Sequence, residues 1–341
     1  MPVRVGVVGA GFIGRVHALN LRKDRRVHVA GIVDAVPAAA DKLAAEVEAP
    51  TCPDLAALLD RGVDAVYVTT PNTTHVEPVL TALRAGLHVF SEKPMATSLD
   101  GAAQIRATAA ASRGVYQLGF NRRFANVYRF AKDLIDAGRI LPLVAQMKHN
   151  RGELQQPPWT SNPKVTGGYL YETPVHLFDM ARFLFGDVVE IQGWARQSVY
   201  QELDGFTMLL KTATGVITSL TSVAHTSWLF PYERVELYGV HASVVTEELE
   251  RAWFSPGMRD QVEVVDCFQM AFEQKWGYVT EDRLFVDAVL GERPPAVTAE
   301  DGYKATELVE ACYLAVRENR PVTLPLPETG IGKRETGEPS G

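Results

Sequence analysis

A doubly wound, parallel α/β domain followed by an α+β domain with a large, mostly antiparallel open sheet is the fold that this sequence predicts. Three observations predict it. From residue 3 to about 118, short Val-rich runs alternate with Ala/Leu-rich stretches of helical period, the pattern of repeated β-α-β units. Beyond Arg123 the texture changes to runs that alternate by twos between turn residues, as antiparallel strands do. A chain of 341 residues also exceeds the usual span of one hydrophobic core, so two packed units are expected.

In chain order, the strand candidates of the first unit are Val3 to Val8, Val27 to Val33, Ala65 to Thr69, His88 to Ser91 and Tyr116 to Leu118. Their near-continuous apolar character fits strands covered on both faces. Helix candidates lie between them: Gly14 to Arg22, Pro37 to Glu46, Leu55 to Leu59, Thr74 to Arg84 and Leu99 to Ser112. Ala125 to Ala137 reads as a connecting helix, and Leu143 to His149 opens the second unit. There, Val188 to Val199, Thr207 to Lys211, Val216 to Ala224, Arg234 to Tyr238 and Ser243 to Glu247 alternate as strands. Tyr171 to Leu184 reads as one helix ending at Gly186, and Glu281 to Leu290 and Ala299 to Glu318 as closing helices. The expected division is 1–124, 125–326, and a polar, Gly/Pro-rich disordered tail over 327–341.

A hydrophobic fraction of 46% and a net charge of −7 describe an ordinary globular protein without a basic run for phosphate rows, so nucleic acid is not an expected partner. Cys52, Cys267 and Cys312 lack paired metal-ligand spacing and read as reduced, buried thiols. Met1 leads straight into Val3-Arg4-Val5-Gly6-Val7-Val8, which is neither a signal peptide nor a membrane span. No metal, no membrane and a cytoplasmic location are the corresponding expectations.

Gly9-Ala10-Gly11-Phe12-Ile13-Gly14 follows the first strand directly and opens a helix, the context that a dinucleotide fingerprint requires. Gly9 permits the turn, Gly11 lets backbone N–H groups approach a diphosphate, and Gly14 allows the helix to pack on the strand. Asp34 ends the second strand 20 residues beyond the last glycine. A carboxylate there accepts from both ribose hydroxyls and repels a 2′-phosphate, favouring NAD over NADP. It can equally cap the helix behind it, and both roles remain open. The first domain therefore reads as an NAD-binding Rossmann domain.

Three more clusters fall at strand C-terminal ends, where open α/β sheets bind ligands: Thr69-Thr70-Pro71-Asn72-Thr73-Thr74-His75, Ser91-Glu92-Lys93-Pro94 and Gly119-Phe120-Asn121-Arg122-Arg123-Phe124. With Gly167-Gly168-Tyr169-Leu170-Tyr171-Glu172-Thr173-Pro174-Val175-His176, they make the chain resemble the Gfo/Idh/MocA oxidoreductases, inositol dehydrogenases in particular, over residues 3 to about 326. The resemblance implies that Lys93 and His176 flank the nicotinamide. The chemistry agrees: alcohol oxidation needs a base of near-neutral pKa and a cation beside the developing alkoxide. Glu172, one turn before His176, orients that ring or holds a substrate hydroxyl. It stands where inositol dehydrogenases carry aspartate. Against these roles stand a histidine satisfied at a helix start, a salt-bridged surface lysine, and an acid placed to favour a helix N-terminus.

The resemblance also implies that Thr70, Pro71, Asn72 and His75 line the cofactor channel and that Glu92 sits by the nicotinamide ribose. Asn121 and Arg123 follow the strand before the domain crossover, where they can donate to substrate hydroxyls, Asn121 being placed in the cofactor set and Arg123 in the substrate set. His75 could instead begin a helix, and Arg122 or Arg123 form interface ion pairs. His149, Arg151, Trp159, His225 and Tyr232 have the polar or aromatic tips that suit a sugar, with His149, Trp159 and Tyr232 placed in the substrate set. Asp179 and Arg182 read as a packing pair.

The leading expectation is NAD-dependent oxidation of a secondary hydroxyl on a cyclic polyol, sugar or glycosylated aminocyclitol. Alternatives are a glycoside hydrolase that oxidises its substrate transiently and a non-catalytic NAD sensor. Ala/Arg usage hints at a GC-rich bacterial source and secondary metabolism, aminoglycosides among the possibilities. Pairing of the second sheet with another copy, in a homodimer or homotetramer, is implied by the resemblance.

Overall fold

The computed structural model describes residues 1–152, 158–227 and 232–327. The expected tail lies, from residue 328 on, outside the described residues. The first sheet holds five parallel strands, β1 (Val3–Val8), β2 (Val27–Val33), β3 (Ala65–Val68), β4 (His88–Glu92) and β5 (Tyr116–Gly119), in the order β2-β1-β3-β4-β5. Helices α1 (Phe12–Lys23), α2 (Pro37–Val47), α3 (Leu55–Asp60), α4 (Val76–Arg84) and α5 (Leu99–Ala111) connect them. Every residue of β3 and β5 is buried, which is why these strands read as apolar runs without alternation.

After α6 (Asn126–Asp136) and β6 (Val144–His149) come three helices: α7 (Pro163–Thr166), α8 (Tyr169–Glu172) and α9 (Val175–Phe185). The single helix expected over Tyr171 to Leu184 is broken at Thr173 and Pro174. Proline offers no N–H to the preceding turn and its ring collides with that turn's carbonyl, so α8 stops and a new helix starts. Strands β7 (Val188–Arg196), β8 (Gly205–Thr212), β9 (Ile217–Val223), β10 (Glu233–Tyr238), β11 (Ser243–Glu247), β12 (Arg251–Ser255) and β13 (Glu263–Asp266) follow. Helices α10 (Phe272–Lys275), α11 (Tyr278–Val289) and α12 (Ala299–Glu318) and the short β14 (Val322–Thr323) complete the chain. The second sheet has nine strands in the order β13-β12-β11-β10-β6-β9-β8-β7-β14, antiparallel throughout except for the β6–β9 pair.

Strands β12 to β14 were not foreseen. Strand β13 spans four residues and is partly exposed along its length, so it carries no strong alternation, and β14 is only two residues long. Helix α12 starts with a capping box, Thr298 and Asp301 satisfying each other's backbone N–H groups at 3.2 and 2.9 Å. The division at residue 124 does not separate the cores. Phe285 and Val286 of α11 are buried with Val5, Val7, Tyr67 and Phe90 of the first sheet, Phe285 meeting Tyr67 edge-on at 5.3 Å.

Candidate active site

The turn after β1 is shaped by its glycines. Gly9 has φ +107°, and a Cβ on it would lie 2.6 Å from the Thr69 carbonyl group. A Cβ on Gly14 would lie 2.0 Å from the Gly9 oxygen, so α1 can pack this closely only with glycine there. Thr69 Oγ1 donates to the Gly9 oxygen at 2.7 Å and ties the turn to the end of β3. Gly11 is different: a Cβ there would meet nothing within 4 Å. No side chain caps α1, so the amides of Phe12, Ile13 and Gly14 remain available at the helix N-terminus beside that open space. The cradle thus fits a dinucleotide diphosphate.

Asp34 closes the cradle on one side. Its Oδ2 accepts from the Ala10 N–H at 2.6 Å and its Oδ1 from the Val36 N–H at 2.8 Å. It therefore fixes the glycine turn rather than capping α2, whose N-cap is Val36 without a side-chain cap. The fixed negative charge is the feature that disfavours a 2′-phosphate.

The loops after β3 and β4 meet behind the site. His75 is fully buried, with its ring nitrogens 2.7 Å from the Pro94 oxygen and 2.7 Å from the Thr70 oxygen. It pins the two loops together and does not line a channel, correcting that expectation. Pro71 is exposed, and the Thr70 hydroxyl is buried without a partner among the described residues. Asn72 is buried and donates to the Thr166 oxygen and to Glu172 Oε2, each at 3.1 Å. Glu92 is turned inward. Its Oε1 lies 3.2 Å from His17 Nε2 and its Oε2 accepts the Lys93 N–H at 2.9 Å, so it is not held out toward a ribose. Asn121 is likewise committed, donating to the Trp276 oxygen at 2.9 Å and accepting from Arg122.

Lys93 and His176 are brought together. Lys93 Nζ donates to the main-chain oxygen of Glu172 at 2.7 Å, and its charge is close enough to act on the His176 ring. Glu172 bridges the domains: Asn72 holds Oε2, Arg151 Nη1 donates to Oε1 at 3.0 Å, and Lys93 Nζ stands 4.0 Å away. Aspartate would be one methylene too short to span Asn72 and Arg151 as Glu172 does. Behind this pair, His176 Nε2 is 3.3 Å from Arg122 Nη1, and the His149 ring lies 6.3 Å from His176 and 6.3 Å from Tyr232. The Nδ1 atoms of both histidines are buried with no partner among the described residues.

Glu233 holds this back wall and was missed in the sequence. It accepts from Arg122 Nη2 at 3.1 Å and Tyr128 Oη at 2.8 Å, and sits 3.4 Å from His149 Nε2. The signal was present, because Glu233 falls on the inward phase of β10 with Val235 and Leu237. Burial alone would push its carboxyl up, but Arg122 and His149 hold it below its ordinary value. Burial, then the charges of Arg122 and Lys93, pushes His176 well below the usual imidazole range. Burial chiefly brings His149 down to about 4.

Arg123, expected among the substrate residues, is committed to ion pairs. It is buried in a fork with Asp179, at 2.8 and 2.5 Å, and reaches Asp301 at 3.0 Å, while Arg182 pairs with Asp187 and Asp301 rather than with Asp179. His225 contacts Ser198 and Asp204 at the far end of β7 and β8. Trp159 is 38% exposed in a single turn over Pro158–Ser161, and the contacts described for Lys93 and His176 do not include it. Two clefts of about 710 Å³ each, lined in part by Arg123 and by Asn20, contain neither Lys93 nor His176.

Residues 3–120 match the family model described as oxidoreductase family, NAD-binding Rossmann fold, and residues 132–324 match its C-terminal alpha/beta domain. The chain is 27% identical over 336 residues to inositol 2-dehydrogenase of Rhizobium meliloti strain 1021, covering 95% of this chain and 100% of that protein. It is similar, at 25% identity and a TM-score of 0.83, to the structure of GenD2 from gentamicin A biosynthesis in complex with NAD, covering 95% of this chain and 97% of that one. Levoglucosan dehydrogenase in complex with NADH shares the fold, with a TM-score of 0.87 at 19% identity over 95% and 100% of the two chains. No helix among the described residues is long and apolar enough to cross a membrane. With both halves matched over a cradle that admits a diphosphate, the chain is an NAD-dependent oxidoreductase acting on CH–OH groups and belongs to the Gfo/Idh/MocA family.

Proposed function

We propose that the chain oxidises a secondary hydroxyl of a cyclic polyol or sugar, glycosylated aminocyclitols included, with His176 as the base and Lys93 steadying the charge on the reacting oxygen. The observation that carries this is the Lys93 ammonium fastened at 2.7 Å to the carbonyl of Glu172, four residues before a buried, partly unsatisfied imidazole. Bound NAD supplies the hydride acceptor. The rest is work for the chain's own groups.

His176 is held neutral, the form that accepts a proton, by burial and by the cations beside it. Arg122 only donates, so the ring nitrogen it faces, Nε2, carries the lone pair and Nδ1 the hydrogen. The ring has only that one lone pair, so a substrate hydroxyl that delivers its proton to His176 takes the place of Arg122 at Nε2. The resulting imidazolium is destabilised by Arg122 and Lys93 and passes its proton on readily. Glu172, already satisfied by Asn72 and Arg151, orients the Lys93 loop against α8 rather than accepting a proton. His149 and Tyr232 supply the opposite wall, where a hydroxyl-rich ring finds donors and an aromatic face. The likeness to a gentamicin-pathway protein and to inositol dehydrogenases defines the substrates to be tried.

The test is NADH formation from a panel of cyclitols, free sugars and glycosylated aminocyclitols at alkaline pH, repeated with Lys93→Ala and His176→Ala. Both variants are expected to keep NAD affinity and lose about 100- to 10,000-fold in kcat. Unchanged turnover in His176→Ala removes the base, and glycoside cleavage without net NADH favours a hydrolase. Trp194, Leu209 and Ile217 lie exposed on the outer face of the second sheet, and we expect a second copy to cover them. Light scattering that finds only monomer at micromolar concentration rejects that expectation.

A further inference from the structure

Behind the Glu92-Lys93-Pro94 loop lies a sealed group of acids that the reaction above does not use. His17 of α1 is fully buried, with Nδ1 2.6 Å from Asp282 Oδ1 and Nε2 3.2 Å from Glu92 Oε1. Asn20 Nδ2 donates to the other oxygen of Asp282 at 2.9 Å. Glu281, also fully buried, completes the group: its carboxylate, that of Glu92 and the His17 ring have polar atoms within 4.8 Å of one another. Neither Glu281 oxygen has a hydrogen-bond partner among the described residues, and neither does the nearby Tyr67 hydroxyl. The titratable groups acting on this carboxyl include His17 of α1, Glu92 of β4, Asp179 of α9 and Asp282 of its own helix, and the hydroxyls of Tyr67 on β3 and Tyr278 on α11 also feel its charge.

The charges do not balance if every carboxyl is ionised. Asp282 and Glu92 together hold His17 well above its usual value although burial opposes its charge, so one imidazolium serves two carboxylates. Among the described residues no other cation is shown acting on Glu281. An unpaired carboxylate in a dry interior takes up a proton rather than bear the loss of hydration. We infer that Glu281 is a neutral carboxylic acid, and that its retained proton keeps a third negative charge away from Glu92 and so positions Lys93. Burial and then the Glu92 charge push its carboxyl well above the usual range, the same direction. Glu92 matters because its second oxygen accepts the Lys93 N–H. Ionising Glu281 repels Glu92 and loosens the anchor from which Lys93 reaches the site. Glu281 is thus a positioning residue, acting through Glu92. The inference rests on the proposed reading only where it concerns turnover.

Three readouts test it on the full-length protein. In an infrared difference spectrum at pH 7, wild type minus Glu281→Gln shows a protonated-carboxyl C=O band; carboxylate bands in its place overturn the inference. In denaturant unfolding, a folded pKa raised above the unfolded value of about 4.3 gives stability that is full below that pH and falls as pH rises. Relative to Glu281→Gln, the wild-type folding constant is therefore expected to drop by up to about tenfold per pH unit above pH 5. Parallel curves overturn the inference. In turnover, Glu281→Ala is expected to lose about tenfold or more and Glu281→Gln, uncharged and still a donor, to restore kcat to within about threefold of wild type. Equal losses in the two variants overturn the positioning role. One divalent metal per purified wild-type chain, absent from Glu281→Gln, shows that a cation and not a proton balances the group. Should Lys93→Ala keep its turnover, the proposed function fails while the infrared and stability results still decide the protonation of Glu281.

Discussion

The two halves of the site are built from different materials. The NAD-binding half is made of backbone: a glycine turn, the uncapped amides of α1, and one carboxylate that serves two main-chain N–H groups. The half around His176 is made of polar and charged side chains drawn from both domains, with Arg122, Glu233, His149, Tyr128 and His176 in one buried network. Backbone dipoles are fixed by the fold and need no counter-charge. Buried side-chain charges need each other, so the second half should be fragile to side-chain substitutions and to pH, and the first much less so away from Gly9 and Gly14, where a Cβ would collide with backbone.

The largest effect that can break this contrast is expected from Glu233→Ala. It leaves Arg122 buried and unpaired and should cost about 3–5 kcal/mol in denaturant unfolding. A loss no greater than that of an ordinary surface substitution would mean that the network is not what holds the back wall.

Next comes pH. His149 is depressed from about 6.5 unfolded to about 4 folded, so its contribution is fully present above pH 6.5 and is lost as pH falls toward 4, up to about 3 kcal/mol. His176 acts in the same direction. The difference in unfolding free energy between wild type and His149→Gln should shrink steadily over that window. For the same reason, kcat/KM should hold level down through the ordinary histidine range before its acid limb begins.

The backbone half is probed by Gly11→Ala. Because a Cβ there meets nothing in the folded chain, the melting temperature should stay put while NAD Kd rises about tenfold. A fall in both would show that Gly11 serves the turn rather than the ligand. The smallest effect is expected from Glu172→Asp, which gives up either Asn72 or Arg151 and should raise substrate KM by about threefold.

The same difference in materials explains what was legible in the sequence. Gly9, Gly11, Gly14 and Asp34 sit at short, fixed spacings, and local pattern suffices to read them. Lys93 and His176, the pair proposed for the chemistry, stand out because each lies in a recognisable run at an element's end. Glu233 pairs with an arginine 111 residues earlier, and no local pattern shows that kind of contact. Arg123, His75, Glu92 and Asn121 show the limit of the same kind of reading. Each has the right chemistry and sits beside the site, but its hydrogen bonds are spent on Asp179, on Pro94 and Thr70, on His17 and the Lys93 amide, and on Trp276. The break at Pro174 was visible in the sequence and underweighted, since a helix-period run hid a chain that restarts.

Helix α11 carries one more consequence. Phe285 and Val286 fill the core beneath β1, β3 and β4, although the strands themselves are finished by Gly119. During synthesis at about 5–20 residues per second, the first sheet must therefore remain open on one side for on the order of ten seconds or more before its lid leaves the ribosome. Nascent chains stalled between these two points would present Tyr67 and Phe90 to chaperones, and NAD would have no sealed domain to bind until the second domain had largely been made.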